Sequence, residues 1–388
     1  MEPYRGIDLL GLEAQLSDDE RQVRDTVRDW VEREAIPAVV PHFREATFPS
    51  ELIRPMAELG IFGAHIDGYG CAGVSPVAYG LIMQELERAD SGFRSFASVQ
   101  SSLAMTAIHD FGSEEHRERY LPEMAAGRLL GAFALTEADH GSDPAGMETR
   151  AEAVADGYRL NGSKYWITNA TIAGLAVVWA KLDDTVRGFL VDTSLPGVTS
   201  EEIHNKLSMR ISVTGGFTFD NVVVPEDALL PGTRGISSAL ACLNAARYSI
   251  IWGVNGAAAD CLHTALEYTG ERQQFAKPIS SFQLVQEKLA DMASELSKSQ
   301  LLAYQLGRLK GEGNLHWSHV SMGKYHNTQS ALDIARTCRD LLGAAGITDD
   351  LSPMRHAMNL ETVNTYEGTR HMHQLILGRH LTGHNAIS

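Results

Sequence analysis

The spacing of apolar residues changes twice along this chain, and that change constrains the fold more than any other feature. Up to about Arg128, apolar residues recur every three or four positions. From about Leu129 they fall in short runs rich in aromatic and β-branched residues. After "PGTRGIS" the longer period returns and lasts to the end. A period of 3.6 makes helices and a period of 2 makes strands. The chain is therefore expected to be α+β, ordered all-α (1–129), β (130–232) and all-α (233–388).

Within the first part, "DDERQVRDTVRDWVEREAIPAVV" puts Val23, Val27, Trp30 and Val31 on one helix face, and Pro37 and Pro41 are expected to end that run. "SELIRPMAELGIFG", "VAYGLIMQELERAD" and "SEEHRERYLPEMAAG" read as further helices, with Ser50 and Ser113 as N-caps. "YRLNGSKYWITNA", "LAVVWAKL", "RGFLVDT" and "GGFTFDNVVVP" read as strands punctuated by "ADG" and "DDTVRG" turns. The third part contains two long amphipathic runs rich in small residues, which suits a bundle that also packs against other subunits.

A length of 388 residues allows two or three domains. The formal net charge of −16 argues against nucleic acid or an anionic membrane as the main partner. A small anionic ligand would need a local cluster of positive groups. No stretch reaches the ~18 unbroken apolar residues of a membrane span, and the acidic N-terminus does not read as a secretory signal. Cys71, Cys242, Cys261 and Cys338 form no C-x-x-C pair, so free thiols in a reducing cytoplasm are expected.

Several motifs compete for a function. "GYGCAG" at 68–73 satisfies G-x-G-x-x-G, but a dinucleotide fold needs a second strand ending in an acid about twenty residues on. Glu85, Glu87 and Asp90 lie instead on or just past a helix, so a glycine-rich turn is expected. "DHGSD" at 139–143 suits a tight turn better than a metal site. His371, His373, His380 and His384 lack an accompanying H-E-x-x-H and are expected to pack or to face solvent. His380 and His384 share a face at i, i+4. Arg94 in "SGFRSFAS" has no acid within three positions, so a guanidinium able to grip a carboxylate is one reading and a helix-boundary arginine the other. Glu367 in "TYEGT" sits beside a glycine just ahead of a helical run.

"FALTEADHGSDP", "KYWITNA" and "TYEGT", in this order, resemble the acyl-CoA dehydrogenases, from about residue 15 to the C-terminus. "ERQQFAKPISSFQLVQEKLADM" is similar to the family's flavin-binding arginine-to-glutamine segment, with Ala276 where glycine is usual. "RDLLGAAG" is similar to the segment that reaches a neighbouring subunit's flavin, with Ala345 where a second glycine is usual. "ERADSGFRSFASVQSSL", "CLNAARYSIIWG" and "RHAMNLETVNTYEGT" most resemble the glutaryl-CoA group within the family.

The resemblance implies a helical domain, a β-barrel or sheet domain and a four-helix bundle, assembled as a homotetramer. It implies FAD as cofactor, electron-transfer flavoprotein as acceptor, and no metal. Glu367 is the expected base. Substrate contacts fall on Glu87, Arg94, Ser95, Ser142, Asn244, Arg247, Tyr366 and Gly368. Flavin contacts fall on Phe133, Leu135, Thr136, Gly141, Ser142, Trp166, Ile167, Thr168, Arg272, Gln283, Gly343 and Thr369. The implied reaction is dehydrogenation and decarboxylation of glutaryl-CoA to crotonyl-CoA and CO2. The alternative is dehydrogenation of another short-chain acyl-CoA without decarboxylation.

Overall fold

The computed structural model describes residues 6–386. Seven helices open the chain: α1 (Asp18–Trp30), α2 (Ile36–Glu45), α3 (Ile53–Glu58), α4 (Pro76–Ala89), α5 (Ser91–Ser98), α6 (Thr106–Phe111) and α7 (Glu114–Ala125). Ser17 caps α1 in a capping box with Glu20, and Ser113 caps α7. Ser50 does not cap a helix, because Pro49 precedes it and it begins a 3₁₀ turn, Ser50–Leu52. The prolines do not end the first run either. A π-helical turn, Val31–Ala35, joins α1 to α2, which places Pro37 in the first turn of α2 and Pro41 inside it. A first-turn proline removes a donor that has no helical partner, and the wider π turn takes up the change in pitch.

Seven strands follow: β1 (Gly131–Ala134), β2 (Arg150–Val154), β3 (Gly157–Thr168), β4 (Leu175–Leu182), β5 (Thr185–Asp192), β6 (Val198–Glu202) and β7 (Thr214–Val224). They form one sheet in the order β1-β4-β2-β3-β7-β6, with β5 on the other side of β4. β1 and β2 run parallel to β4, and the remaining pairs are antiparallel. The β3–β7 register slips between Lys164 and Ile167, and that bulge holds Trp166 at φ +60°.

Five helices complete the chain: α8 (Ile236–Glu271), α9 (Gln283–Gly311), α10 (Trp317–Leu341), α11 (Pro353–Val363) and α12 (Arg370–Thr382). A hairpin of β8 (Gln273–Gln274) and β9 (Lys277–Pro278) links α8 to α9. α12 stops at Thr382 with Gly383 in the left-handed conformation, so His384 lies off the helix and shares no face with His380. Among the described residues no helix is long and apolar enough to cross a membrane.

α8 positions the site. All of its residues from 246 to 259 are buried, because α8 packs against α4 on one side and α10 on the other. The approach to α4 depends on missing side chains. A Cβ on Gly256 would lie 1.9 Å from the Gln84 carbonyl oxygen, and one on Gly80 would lie 2.3 Å from the Trp252 ring.

Candidate active site

The site begins where α4 gives way to α5. Asp90 accepts a hydrogen bond from the Gly92 amide (2.8 Å) and caps α5. The chain turns there, so Glu87 and Arg94, seven residues apart, face each other in the interior, both fully buried. Arg94 Nε donates to Glu87 Oε2 at 2.6 Å, and Ser91 Oγ donates to Glu87 Oε1 at 2.8 Å. Arg94 Nη2 donates to the Tyr366 hydroxyl, and Nη1 is buried with no partner. Burial opposes the Arg94 charge, but Glu87 and the Tyr366 hydroxyl outweigh it and push the guanidinium pKa up. Burial raises the Tyr366 pKa, with Arg94 opposing.

Gly253 on α8 makes the room for this pair. A Cβ there would lie 2.2 Å from Glu87 Oε2 and 3.1 Å from Arg94 Cγ. Ser95 is buried beside Arg94 on α5.

Tyr366, Glu367 and Gly368 form the turn between α11 and α12. Glu367 adopts φ +52° and Gly368 φ +91°, and a left-handed glutamate is a strained residue of the kind that collects at functional sites. Each of the three carbonyls is held by a cation. Lys324 Nζ donates to Tyr366 O and to Gly368 O, both at 2.8 Å, and Arg247 Nε donates to Glu367 O at 2.7 Å. Arg247 Nη1 also donates to Asn244 Oδ1 at 3.1 Å. Gly368 has a spatial requirement as well as a torsional one, since a Cβ would lie 2.9 Å from His373 Nε2. His373 is buried, and neither ring nitrogen closes a hydrogen bond.

Glu367 Oε2 is buried without a partner. Burial raises this carboxyl's pKa, and the charges of Arg94, Arg247 and Lys324 only partly offset it. Burial lowers the Lys324 pKa, resisted by Glu367, and lowers Arg247 as well. It takes His373 down to about 3, so that imidazole is neutral. Thr369 caps α12 by accepting from the Met372 amide at 3.3 Å, which leaves its hydroxyl proton free to donate elsewhere.

The sheet-side candidates sit in a different environment. Phe133 and Leu135 are buried, with Phe133 5.7 Å from the Trp179 ring. The Tyr165 amide donates to Thr136 O at 2.8 Å and ties the end of β1 to the bulge. Trp166 is 57% exposed there, Ile167 is buried and Thr168 is half-buried. Gly141 and Ser142 are exposed, and a Cβ on Gly141 would meet nothing within 4 Å. Arg272, Gln283 and Gly343 are exposed, and none of them joins the buried cluster. Among the described residues no three His, Cys, Asp or Glu side chains come together as a metal site. The 68–73 segment lies in the loop between α3 and α4.

Sequence reasoning missed Lys324 and Gly253, and on the sheet side Glu137 and Lys164, while His373, expected to pack or to face solvent, is buried beside Gly368. Lys164 is buried, and its Nζ donates to Glu137 Oε1 (2.8 Å) and Leu135 O (3.0 Å). This pair anchors the segment carrying Leu135 and Thr136. A run of small residues within a long helix, "WGVNGAAA", was the available signal for Gly253.

Residues 17–128, 132–222 and 233–382 match, in turn, the N-terminal, middle and C-terminal domains of acyl-CoA dehydrogenase. The chain belongs to the acyl-CoA dehydrogenase family. It is 31% identical over 386 residues to the short-chain specific acyl-CoA dehydrogenase of human mitochondria, covering 97% of this chain and 93% of that one. Its fold is similar to two structures of glutaryl-CoA dehydrogenase from Mycobacterium smegmatis, each at a TM-score of 0.97. One is 52% identical and covers 99% of this chain and 100% of the other. The second, a complex with FADH2, is 50% identical and covers 98% and 99%.

As an acyl-CoA dehydrogenase, the protein is a flavin enzyme, and its residues fit that group. The exposed Trp166 indole beside the anchored end of β1 offers a planar ring an apolar face edged by main-chain groups. Glu367 Oε2 and Arg94 Nη1 are buried polar atoms with no partner among the described residues.

Proposed function

We propose that this enzyme dehydrogenates and decarboxylates glutaryl-CoA, giving crotonyl-CoA and CO2. The observation that carries the reading is the buried, unpartnered Nη1 of Arg94 beside the Tyr366 hydroxyl. A guanidinium held charged in a buried pocket with its Nη1 donors unspent suits a carboxylate at the far end of an acyl chain. Glu367 lies nearby, with Tyr366 between the two.

In this reading Glu367 Oε2 removes the α-proton of the thioester. Its raised pKa strengthens it as a base, and its burial keeps water away from the enolate. FAD, when bound, supplies the acceptor for the β-hydrogen and its electron pair. The main-chain amide of Glu367 or Gly368 supports the developing thioester oxyanion. The product then carries its carboxylate on Cγ, next to the new Cα=Cβ bond, so an electron pair left on Cγ can delocalise into the thioester. Cleavage of its Cγ–carboxylate bond releases CO2 and leaves the electron pair as a dienolate, which takes a proton at Cγ to become crotonyl-CoA. Glu367, holding the abstracted proton, is the nearest source. Arg94 holds the departing carboxylate, with Ser95 beside it and Glu87 and Tyr366 flanking that end, while Asn244, Arg247 and Ser142 face the thioester and CoA arm.

We assign the flavin to Phe133, Leu135, Thr136, Gly141, Ser142, Trp166, Ile167, Thr168 and Thr369. Arg272, Gln283 and Gly343 serve a neighbouring subunit's flavin in a homotetramer, a role supported by their exposure on the single chain. Electron-transfer flavoprotein is the proposed electron acceptor. Four free thiols support a reducing compartment, the cytoplasm. Domain limits of 1–129, 130–232 and 233–388 complete the proposal, since strands begin at Gly131 and α8 at Ile236.

The test is anaerobic titration of the yellow protein with glutaryl-CoA, followed by analysis of the acyl product. Bleaching with release of crotonyl-CoA and CO2 is expected. Accumulation of glutaconyl-CoA removes the decarboxylation step alone. One observation favours a second reading, a short monocarboxylic substrate: Glu87 already balances the Arg94 charge within the chain. Faster bleaching by butyryl-CoA than by glutaryl-CoA would establish it.

A further inference from the structure

Lys324 is buried on α10 at 1% exposure. Lysine is among the side chains least often buried without a partner of opposite charge. Yet among the described residues its ammonium makes no ion pair. Its hydrogen bonds go to two backbone carbonyls, Tyr366 O and Gly368 O. Tyr366 O belongs to the peptide group before Glu367, Glu367 O to the one after it, and Gly368 O to the next peptide along. The orientation of the peptide before Glu367 sets its φ, and that of the peptide after it sets its ψ. Lys324 holds the first through Tyr366 O, and Arg247 holds the second through Glu367 O. The bond from Lys324 to Gly368 O closes the turn. Without such a clamp, a glutamate at φ +52° would relax toward the right-handed or extended regions, which are favoured by about 1–2 kcal/mol.

We infer that Lys324 is a positioning residue for Glu367, fixing the left-handed turn through its flanking carbonyls so that the carboxylate stays aimed into the site. The inference rests on Glu367 being the base, and it adds a means by which the rest of the bundle controls that base. Lys324 also contributes charge. The groups facing Glu367 are Tyr79 from α4, Arg94 from α5, Arg247 from α8, Lys324 from α10, His373 from α12 and its neighbour Tyr366, with Glu87 behind Arg94. Removing one of the three cations favours the protonated carboxyl.

The experiment uses the flavin-loaded Lys324→Met enzyme with glutaryl-CoA or butyryl-CoA, whichever bleaches the parent. The expected bleaching rate is about 10- to 100-fold lower, the loss a misplaced catalytic group causes, with KM little changed. The acid limb of the rate–pH profile moves up by about one pH unit. A parental rate and an unmoved limb would overturn the inference. If Lys324→Met does not fold, Glu367→Gly is added, because glycine accepts positive φ without strain. Recovery of folding in the double variant supports the clamp, and continued failure overturns it by making Lys324 a general core residue. Where both variants fold, the melting-temperature penalty of Lys324→Met must be smaller in the Glu367→Gly background. An equal penalty is again fatal. A parent that neither thioester bleaches sinks the reading of Glu367 as base, while the melting-temperature comparison still tests the clamp.

Discussion

The helical side of the candidate site is closed and complete within one chain, whereas the sheet side is open and incomplete. Around Arg94 and Glu367 the charged groups are buried or half-buried, and most donors are spent on named partners. Around Trp166 and Ser142 the side chains stand in solvent, as does Arg272 at the end of α8. The two regions therefore divide the work. The closed side sets the geometry and pKa values of the reacting groups before any ligand arrives. Substitutions on the closed side should change chemistry and substrate choice, while those on the open side should change cofactor retention and assembly.

The largest expected effect tests the closed side directly. Glu367→Gln should retain flavin and acyl-CoA, yet bleach about 10²–10⁴-fold more slowly, the range for removal of a general base. Near-parental bleaching would move the base elsewhere. The variant should not lose stability at neutral pH. Because the Glu367 pKa is raised on folding, whatever the protonated carboxyl contributes is present below the ordinary carboxylate pKa and is lost as pH rises through the folded value. In the parent, bleaching should fall as pH drops through that same raised value, at a pH above the ordinary carboxylate range.

Arg94→Gln comes next. It should lower kcat/KM for glutaryl-CoA about a hundredfold, in line with the 2–5 kcal/mol lost when one partner of a buried charge pair is removed. The loss for butyryl-CoA should be much smaller. Equal losses with both thioesters would make Arg94 a structural partner of Glu87, and the closed side would then lack a specificity device. Since Glu87 is left buried and unpaired, flavin content must be measured alongside.

The same division governs what the sequence revealed. The α–β–α order was legible because the apolar period changes sharply near residues 130 and 232. The segments around Arg94 and Glu367 were legible because their short motifs resemble a known family. Lys324 was not. In "MGKYHNT" it looks like a solvated lysine on an amphipathic helix, and only the meeting of α10 with the α11–α12 turn gives it partners. Pro37 and Pro41 misled because a π turn, which has no local signature, absorbs them. The buried Glu137–Lys164 pair was hidden likewise, because its partners come from different strands and loops.

That pair marks where the open side rests on a closed footing, and it supplies a third prediction. Burial acts to raise the Glu137 pKa, but the Glu148 amide, Lys164 and Thr149 overcome it and hold the carboxyl at about 2. A lowered folded pKa contributes stability that is present above the ordinary value of 4.5 and is lost as pH falls toward the folded value. Glu137→Gln should therefore flatten the acid decline of the melting temperature between those limits and leave bleaching at neutral pH largely intact once flavin is saturating. An unchanged acid decline would mean that other carboxylates dominate.

The smallest expected effect lies at the tip of the open side. Phe275 and Ala276 form the two-residue loop of the β8–β9 hairpin at φ +52° and +62°, and Phe275 is 89% exposed. Both central residues of a type I′ turn need positive φ, which is why glycine is favoured there. Ala276→Gly removes left-handed strain of about 1–2 kcal/mol, partly offset by about 0.5–1 kcal/mol of extra freedom in the unfolded chain. The net is a small gain, read as a rise of one or two degrees in melting temperature, with bleaching and the acid limb unchanged. A fall would sharpen the contrast between the two regions. A fall accompanied by a change in oligomeric state would place a subunit contact at this hairpin, whereas a fall without one would mean that the unfolded-chain freedom of glycine outweighs the left-handed strain.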